Sequence, residues 1–262
     1  MLDNSKVYPL ITGRTSAILA VHVYGLPCEV NGMQSVADRH GLRVVYDAAH
    51  AFGTRINGKS VTDFGDASML SFHATKLFHT AEGGALVVRD PIVKERVDFL
   101  KNFGIKDEST VLMPGINGKL NELQAALGLL TLKMVAGERE KRRAIAQIYH
   151  ERLGDIDGVS LVIMPIGVDN SYQYFPIRIA HAHITRDDLF GALRRYNIYA
   201  RKYFYPLCSE YSCYRMLPSA HRSYLPVAHK VASEVLCLPF YGALSHDEVH
   251  RISDIIRSVI PD

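Results

Sequence analysis

Apolar and polar positions alternate along the chain in blocks that predict a strand, a helix and a second strand near its start. Residues 16–24 (SAILAVHVY) form a nearly unbroken apolar run, the pattern of a strand buried on both faces. Gly25, Leu26 and Pro27 break it. Residues 31–40 place Met33, Val36 and Ala37 on one side of a short helix, and Gly41 ends it. Residues 42–46 (LRVVY) predict a second buried strand. Strand, helix and strand at this spacing make a βαβ unit, so the sheet is expected to be parallel here.

The same pattern continues over 68–88 (SMLSFHATKLFHTAEGGALVV), which reads as an apolar strand, a polar loop and a second apolar strand. Residues 91–103 predict a helix with Asp90 as cap and Pro91 at its first position. Helices are expected over 120–133 and again over 135–153, followed by a turn-rich boundary at 154–158. Beyond it, 159–164, 173–179, 199–205 and 235–238 predict strands, and 185–196 and 245–259 predict helices capped by Thr185 and Ser245. The expected organisation is a large domain over 1–153 and a smaller α+β domain over 154–262.

Candidate chemistry collects where the strands run out. In open α/β sheets ligands bind at the carboxyl ends of strands. Asp47 and His50 follow the second strand, and Ser71 and Lys76 follow the third. Lys76 has apolar neighbours in Leu77 and Phe78 and one nearby acid, Glu82. A lysine desolvated in that way loses part of its charge, and a neutral amine is a nucleophile. Taken singly, Asp47 reads as a turn cap, His50 as a core histidine and Lys76 as a solvated loop residue. Residues 53–60 (GTRINGKS) match the phosphate-loop pattern letter for letter. That mechanism needs a helix after Ser60, whereas 61–66 (VTDFGD) are turn-like and Asn57-Gly58 is a hairpin signal. A nucleotide hydrolase is the weaker reading.

Composition narrows the classes further. The 262 residues are 48% hydrophobic and 22% charged, ordinary for a globular chain. The net charge is +3, and the densest charged run, 138–143 (EREKRR), alternates in sign like a solvated helix face. Nucleic-acid binding is therefore not expected. Neither a membrane-spanning stretch nor a leader-like start is present, and Cys28, Cys208, Cys213 and Cys237 lack metal-site spacing. A cytoplasmic chain with free thiols and no metal site is the expectation.

Several ordered stretches carry a resemblance. They are AILAVHVYG (17–25), VVYDAAHAFG (44–53), SFHATK (71–76) followed by EGGALVV, and GINGKLNELQAALG (115–128). ARKYFYPL (200–207) and LCLPFYGALS (236–245) extend it. Together they resemble the DegT/DnrJ/EryC1/StrS sugar aminotransferases, and the likeness covers essentially the whole chain. The resemblance implies the pyridoxal phosphate-dependent transferase (aspartate aminotransferase-like) α/β fold, with a partial large domain of mainly parallel sheet. It implies that Lys76 forms a Schiff base with pyridoxal 5'-phosphate and that Asp47 pairs with the pyridine nitrogen. It also implies that His50 bonds near the ring hydroxyl, that Ser71 contacts the phosphate, and that Asn117 reaches the cofactor of a neighbouring subunit in a homodimer. The implied reaction moves an amino group from an amino acid, glutamate in most of the family, to a nucleotide-linked keto-deoxysugar. Relatives that dehydrate sugars carry histidine where this chain has Lys76, so transamination is expected. The 200–207 stretch is most similar to enzymes acting on a 4-keto-6-deoxy sugar on dTDP. Family members have a further stretch ahead of AILAVHVYG that supplies a phosphate-cradling turn and a stacking aromatic. A chain without it is expected to be a fragment, a short enzyme, or a non-catalytic remnant or interaction partner that keeps the fold.

Overall fold

The computed structural model describes residues 1–260. By contacts the chain divides into two compact units, Met1–Ala136 with Met164–Gln173, and Gly137–Ile163 with Tyr174–Asp262. The division falls upstream of the 153/154 boundary read from the sequence, and the stretch from Met164 to Gln173 returns to the first unit.

In chain order the elements begin with α1 (Asn4–Val7), β1 (Ala17–Val21), α2 (Val30–His40) and β2 (Arg43–Asp47). Then come β3 (Arg55–Ile56), β4 (Lys59–Ser60), β5 (Ala67–Ser71), β6 (Gly84–Val88) and α3 (Pro91–Leu100). After α4 (Glu122–Leu153) follow β7 (Val159–Leu161), β8 (Val168–Asp169), β9 (Pro176–Ile179), α5 (Arg186–Arg195), α6 (Pro226–Glu234), β10 (Val235–Cys237) and α7 (His246–Val259).

The first unit is built on a four-stranded sheet in the order β1-β2-β5-β6. β1, β2 and β5 run parallel, and β6 pairs antiparallel with β5. The expected βαβ unit is present. Glu29 caps α2 by accepting from the Gly32 amide, and Gly41 closes it at φ 62°, a left-handed position that glycine fills without steric cost. Val30, Met33 and Ala37 point from α2 onto Ile18, Ala20, Val44 and Tyr46, forming one core.

β1 corrects the sequence reading. It is apolar throughout, yet Ile18 and Ala20 are buried while Leu19 is 67% exposed. An apolar strand satisfies the pattern of double burial whatever covers it, and here α2 covers one face. The phosphate-loop match is also resolved. Residues 55–60 form the hairpin of β3 and β4, with Asn57 at φ 49° and Gly58 at φ 80°. A single 3-10 turn follows Ser60, so this segment presents no helix N-terminus to a phosphate.

α4 runs as one helix where two were expected. No proline interrupts it near Lys133, and Gly137 lowers helix propensity without breaking the ladder. In the second unit β7, β9 and β10 form an antiparallel sheet in the order β10-β9-β7. The expected strand at 199–205 reduces to one bridge between Arg201 and Cys237, because the Tyr205 amide donates to the Lys202 carbonyl at 2.8 Å and closes a turn. α5 and α7 each start with a capping box, Thr185 with Asp188 and Ser245 with Glu248.

Candidate active site

The carboxyl ends of β2 and β5 define the site. Register places Asp47 opposite Met69, and Ser71 lies two residues beyond Met69, so Asp47 and Ser71 share one face of the sheet. That face is the one opposite α2. Past β2 the chain turns sharply: the Asp47 carboxylate accepts the Ala49 amide at 2.9 Å, which is the turn-cap role. Ala48, Ala51 and Val61 form a small buried core beneath this corner.

His50 is held by a neighbour from the end of β1. The Tyr24 amide donates to its Nδ1 at 3.2 Å, which places the ring proton on Nε2 in the neutral tautomer. Burial, with help from the Lys76 charge, pushes its pKa down to about 4. Tyr24 adopts φ 60°, a left-handed conformation uncommon for a non-glycine residue, and Gly25 follows at φ 86°. A side chain at Gly25 would meet the Ser171 hydroxyl and the His50 carbonyl, so glycine is required for the close approach.

Lys76 sits in a turn closed by its own amide donating to the His73 carbonyl at 2.9 Å. The wider loop is pinned by Thr80 donating to Phe72 and by Phe72 donating to Gly83, each at 2.9 Å. Phe52, Phe72 and Phe78 pack ring to ring beside it. Burial lowers the Lys76 pKa below the ordinary lysine range, and the Asp47 carboxylate opposes that shift. Lys76 therefore acts electrostatically on His50, and Asp47 on Lys76, at the end of the sheet, with Ser71 on the adjoining strand. Asn117 lies apart from them in the exposed loop after α3, where it bridges Asn102.

A segment without an obvious sequence signal completes this corner. β8 pairs with β3, and the chain then runs through Asn170, Ser171 and Gln173. The Ser171 hydroxyl donates to the His50 carbonyl at 2.8 Å, and the Ser171 amide donates to Thr54 Oγ1 at 3.1 Å. Gln173 reaches the lysine turn. Its Oε1 accepts the Leu77 amide at 2.6 Å and its Nε2 donates to the Thr75 carbonyl at 2.9 Å. The sequence reading placed residue 173 at the start of a strand, whereas the strand begins at Pro176.

Asp47, His50 and Lys76 gather an acid, a neutral imidazole and a desolvated amine at the carboxyl edge of a mixed α/β sheet, a combination suited to amine chemistry. Comparison with known proteins agrees with that class. The chain belongs to the DegT/DnrJ/EryC1/StrS aminotransferase family, whose family model matches residues 1–257. It is 44% identical over 257 residues to the dTDP-4-amino-4,6-dideoxy-D-glucose transaminase of Escherichia coli, covering 97% of this chain and 69% of that relative. It is 33% identical to a UDP-N-acetyl-3-dehydro-alpha-D-glucosamine 3-aminotransferase of Acidithiobacillus ferrooxidans, covering 95% of this chain and 66% of that one. The solved structure of DesI with its TDP-sugar product superimposes with a TM-score of 0.90 at 36% identity, covering 98% of this chain and 65% of DesI. The chain thus shares the sugar-aminotransferase fold while spanning about two thirds of these relatives' length. No helix among the described residues is long and apolar enough to cross a membrane.

Proposed function

We propose that this chain carries the amine, acid and imidazole of a pyridoxal phosphate-dependent aminotransferase that transfers an amino group from glutamate to a nucleotide-linked keto-deoxysugar. The observation that carries the reading is Lys76, whose amine is desolvated and within the electrostatic reach of Asp47 at the carboxyl edge of the sheet. The likeness to the dTDP-4-amino-4,6-dideoxy-D-glucose transaminase supports dTDP-4-keto-6-deoxyglucose as the acceptor.

The residues present fit the cofactor by their chemistry. Asp47 offers a carboxylate to a protonated pyridine nitrogen, and His50, with its proton on Nε2, offers a donor to a ring hydroxyl. Ser71 offers a hydroxyl to a phosphate. Pyridoxal phosphate, when bound, supplies an aldehyde for an amine and a ring that withdraws electrons from the amino-bearing carbon. Lys76 Nζ, whose charged form is disfavoured by burial, takes a proton from that carbon and returns it as a general base and acid. The Asp47 charge opposes the downward shift that burial imposes on Lys76. Asn117, on its exposed loop, is assigned to the phosphate held by a second copy in a homodimer.

A second reading, a chain that keeps the fold without catalysing, is favoured by the exposed apolar residues beside Asp47, Leu19 among them. The deciding experiment is a visible spectrum of the purified chain with pyridoxal phosphate, followed by borohydride reduction and peptide mapping. A reduced adduct on Lys76, lost in Lys76→Ala, is the expected result. A folded protein with no adduct, or with one on a different lysine, would favour the second reading.

A further inference from the structure

We infer that Gln173 is a positioning residue for Lys76: its side-chain amide brackets the lysine by bonding the peptide groups on either side of it. This deepens the function proposed above and rests on Lys76 being the reacting amine. Oε1 takes the Leu77 N–H and Nε2 gives to the Thr75 carbonyl, so the two peptide groups flanking Lys76 are fixed by one planar group. Gln173 is only 5% exposed, so water cannot replace these bonds cheaply. The bracket is local to the lysine, because the neighbouring turn already has its own closures at His73, Phe72 and Gly83.

The same strap reaches the other side of the corner. Two residues before Gln173, Ser171 donates to the His50 carbonyl. Thr54, fully buried, receives the Ser171 amide and gives its own hydroxyl to the Gly25 carbonyl at 3.3 Å. One short segment therefore ties the Asp47–His50 turn to the Lys76 turn through side chains. The distance between the carboxylate and the amine is set by this tie as well as by the sheet. A small displacement of a reacting group lowers reactivity steeply, by about a hundredfold per ångström in favourable cases.

Gln173→Met keeps the side-chain length and removes both bonds, and Gln173→Asn keeps the amide but shortens its reach. Each is compared with the parent chain in three measurements: amide exchange at Leu77, thermal midpoint, and the pH profile of Lys76 labelling by formaldehyde and cyanoborohydride. Exposed Lys59 serves as the internal standard, and no cofactor is needed. The expected result is faster Leu77 exchange together with a Lys76 profile that moves up toward the ordinary lysine range, cutting labelling at neutral pH by about tenfold. A lower thermal midpoint with an unchanged Lys76 profile would make Gln173 a structural residue only and overturn the inference. Should neither variant fold, the parent decides: Leu77 must exchange more slowly than the amides of exposed Asp107 and Glu108, and equal rates overturn the bracket. A parent that shows the displaced lysine profile but forms no pyridoxal phosphate adduct would sink the proposed function and leave the bracket standing.

Discussion

The two faces of the four-stranded sheet are made from the same kinds of residue and have opposite fates. On one face Ile18, Ala20, Val44 and Tyr46 are buried under α2, and Ser68 is sealed in with them. On the other, cross-strand register lines up Leu19, Val45, Asp47, Met69 and Leu86. There Leu19 is 67% and Leu86 54% exposed. The covered face carries the stability of the unit and none of the candidate chemistry. The open face carries Asp47 and Ser71. A carboxylate under a helix could not meet a ligand, and the candidate residues Asp47 and Ser71 lie on the face that α2 leaves uncovered.

Substitution on the covered face has the largest expected effect on stability. Tyr46 is fully buried and stacks on His22 at 4.5 Å. Tyr46→Ala should cost roughly 3–5 kcal/mol in a urea titration, as for other large aromatic deletions from cores. The companion Tyr46→Phe sharpens the point. The Tyr46 hydroxyl is buried without a hydrogen-bond partner among the described residues, so its removal should be neutral or stabilising by up to about 1 kcal/mol. A large loss in Tyr46→Phe would mean that the hydroxyl has a partner the packing does not reveal.

Acid is the next lever. His22 accepts the Cys28 amide through Nδ1 at 2.9 Å, so it is neutral, and burial pushes its pKa from 6.5 down to about 4. The unfolded chain therefore binds a proton that the folded chain refuses. This stability is whole above pH 6.5 and is lost as pH falls toward about 4, by roughly 3 kcal/mol at the limit. His50 is shifted to about 4 as well and adds to the same window. His22→Asn, which keeps a hydrogen-bond acceptor, should flatten the fall in urea stability between pH 7 and pH 4.5 without abolishing it. An unchanged slope would show that His22 is not titrating in this range.

These particulars show which parts of the molecule can be read from its sequence. β1, α2 and β2 were legible because a period of 3.6 between two apolar runs leaves few alternatives, and because Gly41 is a glycine where a left-handed residue is needed. Asp47, His50, Ser71 and Lys76 could be grouped from the sequence as candidates because each follows a predicted strand and strand ends in such sheets collect ligands. The exposure of Leu19 was not legible, since an apolar run records which residues tolerate burial and not which element supplies it. α4 spans both expected helices without a break, since no proline or cap separates 133 from 135. Gln173 carried no signal at all. It joins Lys76's turn across 96 positions of sequence through one side chain, and such a contact has neither period nor motif.

The smallest expected effect tests the open face directly. Leu19→Ser and Leu86→Ser remove apolar groups that gain little by folding, because both side chains remain largely in solvent. Each should change urea stability by less than about 0.5 kcal/mol, against the several kcal/mol expected for Tyr46→Ala across the same strands. The double substitution should nevertheless lower binding of the dye ANS, which reports exposed apolar surface. If Leu19→Ser instead costs as much as a core deletion, that face is covered in solution, and the contrast between the two faces fails. If stability holds while dye binding falls, the open face is real, and Asp47 and Lys76 stand at the border of apolar surface still available for contact.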